Sequence, residues 1–267
     1  MIPQGSLKRV ALDFHNKPLN NQELNPLSAI MPSFPTTDHL SLAIHAISQS
    51  ENLTHLDLGN HIVISPSLFW PDTQTKQPSW PNLVWVEVQF SMNTADGDWY
   101  FTRDDNADVE SEDDDDAESD TASFDGSGAD DTTTKQNPDP DTPDTYNEKK
   151  VALAIGDEPY REFRSRADPG KLNPLFEAAA QAAAQMPRLQ RMTLKTEVRA
   201  YRRFTFAMTY FAPSERTDGG AGSRNVGIPR LDWVIGQSGY EPEESTLKIW
   251  RQAKGDIMQS VAEFGHI

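Results

Sequence analysis

WPNLVWVEVQFSMNTADGDWYF, residues 80–101, holds the pattern on which the fold turns. Leu83, Val86, Val88 and Phe90 are apolar, with Glu87 and Gln89 between the last three. Alternation with period 2 among β-branched and aromatic residues predicts a half-buried strand. Asn93–Gly97 then predicts a turn, because the Asp96-Gly97 pair tolerates positive φ. Trp99, Tyr100 and Phe101 form an aromatic cluster expected in the core or at a sheet edge.

Leu83, Val86 and Val88 set a Leu-x-x-φ-x-φ beat, where φ is apolar. The beat recurs at Leu7, Val10 and Leu12, at Leu53, Leu56 and Leu58, and at Leu189, Met192 and Leu194. This is the strand signature of leucine-rich repeats, whose strands line a curved sheet with the apolar positions inward. The Asn usual three residues after the last apolar position is replaced by His15, His61, Ser91 and Glu197. Spacings of 46, 30 and 106 residues are irregular, and the longest contains an acidic insert. The expected fold is therefore α/β: an irregular leucine-rich-repeat-like solenoid, with a curved, mostly parallel sheet, helices on one side and a disordered acidic insert. The alternative is an ordinary α/β domain whose buried strands share the pattern.

The remaining elements follow from periodicity. Thr37 or Asp38 caps a helix with Leu40, Ala43, Ile44 and Ile47 as its inner stripe. Leu68, Phe69 and Trp70 anchor a Pro-rich connector. Leu172–Gln185 is an Ala-rich helix with Pro174 in its first turn. Strands are expected at 188–196, 204–210 and 231–235. A last helix opens at Pro242, with Leu247, Trp250, Ile257 and Val261 inward and Gly255 as a possible divide.

The chain has 267 residues and a net charge of −17. Residues 104–148 hold 18 acidic side chains and one Lys, so the rest is neutral, with 23 of each sign. Such a stretch lacks the apolar content to offset the entropy of ordering. The expected organisation is 1–102 and 149–267 as two parts of one domain, with 103–148 a disordered insert between them. Ser111, followed by Glu112, Asp113 and Asp114, is a phosphorylation candidate for an acidophilic kinase. No basic run fits phosphate neutralisation, so nucleic acid is not an expected partner. No window suits a membrane span or a secretion signal. Cysteine is absent, which rules out disulfides. A cytoplasmic or nuclear location is expected, and Asn52-Leu-Thr54 is read as a chance glycosylation match.

No reaction is named by any motif. His55-x-Asp57 and Asp13-x-His15 each put a histidine and a carboxylate on one strand face, but the six histidines show no metal-binding spacing. Ser65 and Ser67 lack a nucleophile elbow. Gly219–Gly222 has no following Lys-Ser/Thr. No catalytic residue, metal or cofactor is expected. The residues between the apolar positions share the opposite strand face, and Arg9, Asp13, His55, Asp57, Trp85, Glu87, Gln89, Arg191 and Lys195 are the candidate partner-binding residues. Trp85 is the aromatic anchor, since Trp and Arg are enriched at interface hot spots. A plain solvated face is the competing account.

Here the chain resembles a family. Trp80-Pro-Asn-Leu83, Gly97-Asp-Trp-Tyr-Phe101, a polar insert, the helix from Leu172 ending in Met186-Pro-x-Leu189, and Glu243 to Trp250 are similar to large fungal F-box proteins with leucine-rich-repeat-like carboxyl-terminal regions. The resemblance spans about residues 40–260. It implies a non-enzymatic substrate receptor of a ubiquitin ligase, with a protein partner or ubiquitination substrate on the repeat face. The F-box itself has no counterpart, since a repeat strand starts at residue 7. Any contact with the ligase adaptor would then run through another subunit. The alternatives are a scaffold or regulatory protein unrelated to ubiquitin, or a truncated gene product.

Overall fold

In chain order the strands are β1 (Arg9–Asp13), β2 (His55–Ile62), β3 (Trp85–Phe90), β4 (Phe101–Arg103), β5 (Arg164–Ala167), β6 (Arg191–Val198), β7 (Phe204–Phe211), β8 (Arg230–Val234) and β9 (Met258–Ala262). The helices are α1 (His39–Ser48), α2 (Pro169–Ala184) and α3 (Glu244–Lys254). These elements come from a computed structural model, which describes residues 7–14, 19–26, 38–71, 77–104, 151, 153, 161–200, 203–213 and 227–263. Ser111, His15, Gly219–Gly222 and nearly all of the acidic insert lie outside the described residues.

The main sheet is open and mostly parallel, in the order β1-β2-β3-β6-β7-β8-β9. The first four strands are parallel neighbours in chain order, β7 is antiparallel to β6 and β8, and β9 is parallel to β8. Strands from before and after the acidic stretch thus share one sheet through the β3–β6 pair. The sequence repeat is realised as register. Val10, Leu56, Val86 and Met192 lie opposite one another in turn, as do Leu12, Leu58, Val88 and Leu194. Both rows continue across the antiparallel half, through Tyr210 and Leu231 and through Met208 and Trp233. A slip of one residue in any pair would turn these side chains to solvent, so burial of this face holds the register.

α1, α2 and α3 all contribute to the buried cluster that this face forms. α2 starts one turn earlier than the Ala-rich run suggests. Asp168 caps it by accepting from Gly170 N, and Pro169 takes the first helical position. Pro174 therefore sits in the second turn and not in the first. Ala179, Ala180, Ala182 and Ala183 are fully buried; their small side chains let the helix lie close on the sheet.

α1 corrects the expected stripe. Its buried residues are Ser41, Ile44, His45 and Ser48, while Leu40 and Ile47 are 36% and 44% exposed. The inward residues are polar because the connector beneath them supplies partners. Ser65 N donates to Ser41 Oγ (3.0 Å), His45 Nδ1 meets Leu68 O (3.0 Å), and Trp80 Nε1 donates to Ser48 Oγ (2.8 Å). Buried backbone groups of that loop need partners, and this need outweighs the apolar stripe.

Two further differences concern strands. β4 pairs antiparallel with β5 in a separate two-stranded sheet, which periodicity alone did not suggest. Their pairing brings the chain on either side of the acidic stretch together. Asp168 N also donates to Tyr100 O (2.9 Å). Gly255, at φ 82°, ends α3 and does not divide a longer helix. The chain then forms β9, where Val261 is 48% exposed and not on an inner helix face. The aromatic cluster is core: Trp99, Tyr100 and Phe101 are buried, and Gly97 takes φ 85° in the turn before them.

Lys254 gives a test of this packing. Its Nζ donates to Met186 O (2.8 Å) and lies 5.7 Å from the Tyr210 ring centre. Burial lowers its pKa to about 8. The unfolded value is near 10.4, so between those values the unfolded chain binds more protons and stability rises with pH. Lys254→Met removes this dependence. The stability difference between variant and wild type should shift in favour of wild type by about 1 kcal/mol between pH 7 and 9.5, allowing for solvent screening. Urea unfolding at both pH values checks it; parallel curves would show that Lys254 stays charged.

Candidate partner-binding face

The second sheet face follows from the same alternation. Arg9, His55, Trp85 and Arg191 lie side by side, then Phe211, Arg230 and Met258 on the next three strands. The next row runs Ala11, Asp57, Glu87, Thr193, Thr209, Asp232 and Ser260. Beyond it Asp13 pairs with Gly59 and Gln89 with Lys195, the β2 bulge after Leu58 separating the two pairs. All of the candidate residues read from the repeat share this face.

The first row is an alternating ladder of aromatic rings and guanidinium groups. The Arg191 guanidinium carbon lies 4.7 Å from the Trp85 ring centre and 5.3 Å from that of Phe211. That of Arg230 lies 4.5 Å from the Phe211 ring centre. Each stacked pair contributes about 0.5–1 kcal/mol at such partly exposed sites. Trp85 is therefore half-buried under Arg191 and does not stand free as an isolated anchor.

Asp57, Glu87 and Asp232 in the second row supply counter-charges. Lys195 Nζ is 2.6 Å from Glu87 Oε1, Arg230 Nε 2.7 Å from Asp232 Oδ2, and Arg9 Nη2 3.7 Å from Asp57 Oδ2. Ser260 Oγ donates to Asp232 (2.7 Å) and Arg191 Nε to Thr193 Oγ1 (3.3 Å). His55 Nδ1 is engaged with Thr54 Oγ1 (2.9 Å). Gly59 is at the close approach of β1 and β2, where a Cβ would meet Asp13 Oδ1 at 3.2 Å. The face holds long side chains in fixed geometry, which lowers the entropy lost when a partner docks.

Sequence reasoning missed Phe211, Arg230 and Asp232. They lie on β7 and β8, outside the repeat beat, and only strand order brings them beside Arg191.

At the end of the parallel strands, β2 bulges, with Asn60 and His61 at φ 56° and 58°. His61 and Glu197 fill positions where the repeat would carry Asn. Their atoms Nε2 and Oε2 are 3.9 Å apart. Burial lowers the His61 pKa, Arg199 adds to this and Glu197 opposes it, so His61 is mainly neutral at pH 7. Among the described residues, no group of three or more His, Asp or Glu is arranged to hold a metal. No helix there is long and apolar enough to cross a membrane.

The chain matches no protein-family model, and neither a curated protein nor a solved structure matches it.

Proposed function

We propose that this chain is a non-enzymatic protein-binding module that engages its partner through the open face of the main sheet. The observation that carries this reading is the continuous ladder Trp85–Arg191–Phe211–Arg230, with the carboxylates of Glu87 and Asp232 in the next row. Aromatic and guanidinium groups are the side chains on which interface energy concentrates. We read the register-matched repeat as a degenerate leucine-rich-repeat arrangement, in which the strand face opposite the apolar rows meets the partner. On the resemblance to fungal F-box proteins, the partner is a ubiquitination substrate and the chain is its receptor. The competing reading, a scaffold unrelated to ubiquitin, uses the same face.

Affinity capture from cells that express the protein, followed by mass spectrometry, tests this. Trp85→Ala should weaken partner capture by about 30-fold, as expected for a hot-spot residue, while the circular dichroism spectrum stays unchanged. The same proteins retained by both forms would remove the open face from consideration. Co-purification of a cullin and its adaptor favours the ubiquitin-linked reading; capture of partners without them favours the scaffold.

A further inference from the structure

A cleft of about 290 Å³ lies between the amino-terminal ends of α1 and α2, near the lower end of sizes typical of small-molecule sites. It opens beyond the carboxyl ends of β2 and β3, where open α/β sheets collect their ligands. It is separate from the partner-binding face.

Asp38 lines this cleft and is 3% exposed. Its Oδ1 accepts both cap hydrogen bonds, from Leu40 N and Ser41 N, at 3.1 Å each. Its Oδ2 is buried with no hydrogen-bond partner. Capping needs one acceptor, which Asn or Ser supplies equally well. An unpartnered buried carboxylate oxygen carries a desolvation cost, and a ligand that donates hydrogen bonds removes it. Ser65 Oγ lines the same cleft and is also buried and unpartnered.

Charge fixes the ligand's sign. Asp96 adds a second carboxylate to the lining. Burial first, then Asp96 and Asp38, raises the Tyr100 pKa, so both carboxylates lie within electrostatic reach of a phenol that also lines the cleft. Lys171 is already engaged by Asp98 at 2.8 Å and by Asp96 at 3.8 Å. Lys171 is the one cation among the described residues of the lining and Asp98, outside it, already holds it, so the lining keeps an excess of negative charge from Asp38 and Asp96. Trp70, half-buried, supplies an aromatic wall suited to an apolar or cationic group.

We propose that the cleft binds a small primary ammonium compound with an apolar or aromatic tail. Its ammonium group donates to Asp38 Oδ2 and Ser65 Oγ, and its tail lies against Trp70. The site is independent of the protein-binding reading.

Titration of the full chain with phenethylammonium, followed by amide chemical shifts, tests the proposal. Saturable shifts are expected at Ser65, Trp70 and Gly170. The uncharged isostere 2-phenylethanol should bind at least tenfold more weakly. Asp38→Asn keeps the cap but lacks the charge, and should weaken the ammonium probe at least tenfold with an unchanged melting temperature. If that variant fails to fold, Asp96→Asn, altered at an exposed carboxylate, should weaken the probe several-fold. Absence of saturation below about 10 mM, equal binding of the alcohol, or unaltered binding by the variants would overturn the proposal.

Discussion

Phe176→Ala should destabilise the protein by about 3–5 kcal/mol, as expected for truncation of a fully buried ring. Phe176 is fully buried, and its ring centre lies 5.1 Å from Trp233, 5.9 Å from Tyr240 and 6.2 Å from Phe206. Phe206 contacts Tyr240 at 5.4 Å and Phe101 at 5.5 Å. One ring on α2 therefore joins β7, β8 and the turn after β8, and Phe206 extends the cluster to Phe101 on β4. The neighbours cannot collapse into the space left behind. Phe206 and Trp233 are fixed by sheet pairing, and Tyr240 is fixed by its hydroxyl, which donates to Asn173 Oδ1 at 2.7 Å. A cavity that does not close puts the loss at the high end of the range. With total stabilities of about 5–15 kcal/mol for natural domains, the variant should be partly unfolded at 37 °C. Urea unfolding followed by circular dichroism and tryptophan fluorescence measures this. A loss below about 1.5 kcal/mol would mean that the aromatic cluster rearranges freely.

Gly236→Ala should cost about 2–4 kcal/mol, through backbone and packing together. Gly236 follows β8 at φ 55°, a left-handed conformation that suits glycine. An added Cβ would lie 2.1 Å from Cδ2 of Phe204 and 2.7 Å from its Cγ. Turning the ring moves Cδ2 but not Cγ, which lies on the rotation axis, so a clash at 2.7 Å remains. Phe204 pairs with Val198 at the end of β7, and its displacement pulls on the β6–β7 ladder. Gly239→Ala is the control. It has a similar φ of 62° but nothing within 4 Å of the added atom, so its cost should be about 1 kcal/mol, from backbone strain alone. Equal melting temperatures for the two variants would show that Phe204 moves aside without loss.

Much of the central sheet was legible from one beat. Leu-x-x-φ-x-φ at residues 83–88 and its three recurrences became two apolar rows in register, and the residues between them became one common face. Side-chain alternation is a local property of extended chain, so it can be read without knowing which strands are neighbours. α1 was not legible in this way. Leu40 and Ile47 match an amphipathic stripe, yet Ser41, His45 and Ser48 point inward because Ser65, Leu68 and Trp80 offer them hydrogen bonds. β9 was missed because Gly255 ends the preceding helix and the strand that follows carries little apolar alternation.

The sequence by itself determined the four repeat strands with their inward and outward sets, a helix cap at Thr37 or Asp38, and a core or sheet-edge place for Trp99, Tyr100 and Phe101. Tertiary structure decided the rest. The ladder on the open face needs β7 and β8 beside β6, which places Phe211 and Arg230 next to Arg191 across more than one strand boundary. The cleft needs Asp38 and Ser65 to meet Asp96 and Lys171, residues separated by up to half the chain. The physical reason is one of range. Periodicity and capping are set by neighbours within a turn or two, whereas strand order and the convergence of loops depend on how distant segments bury their apolar faces together.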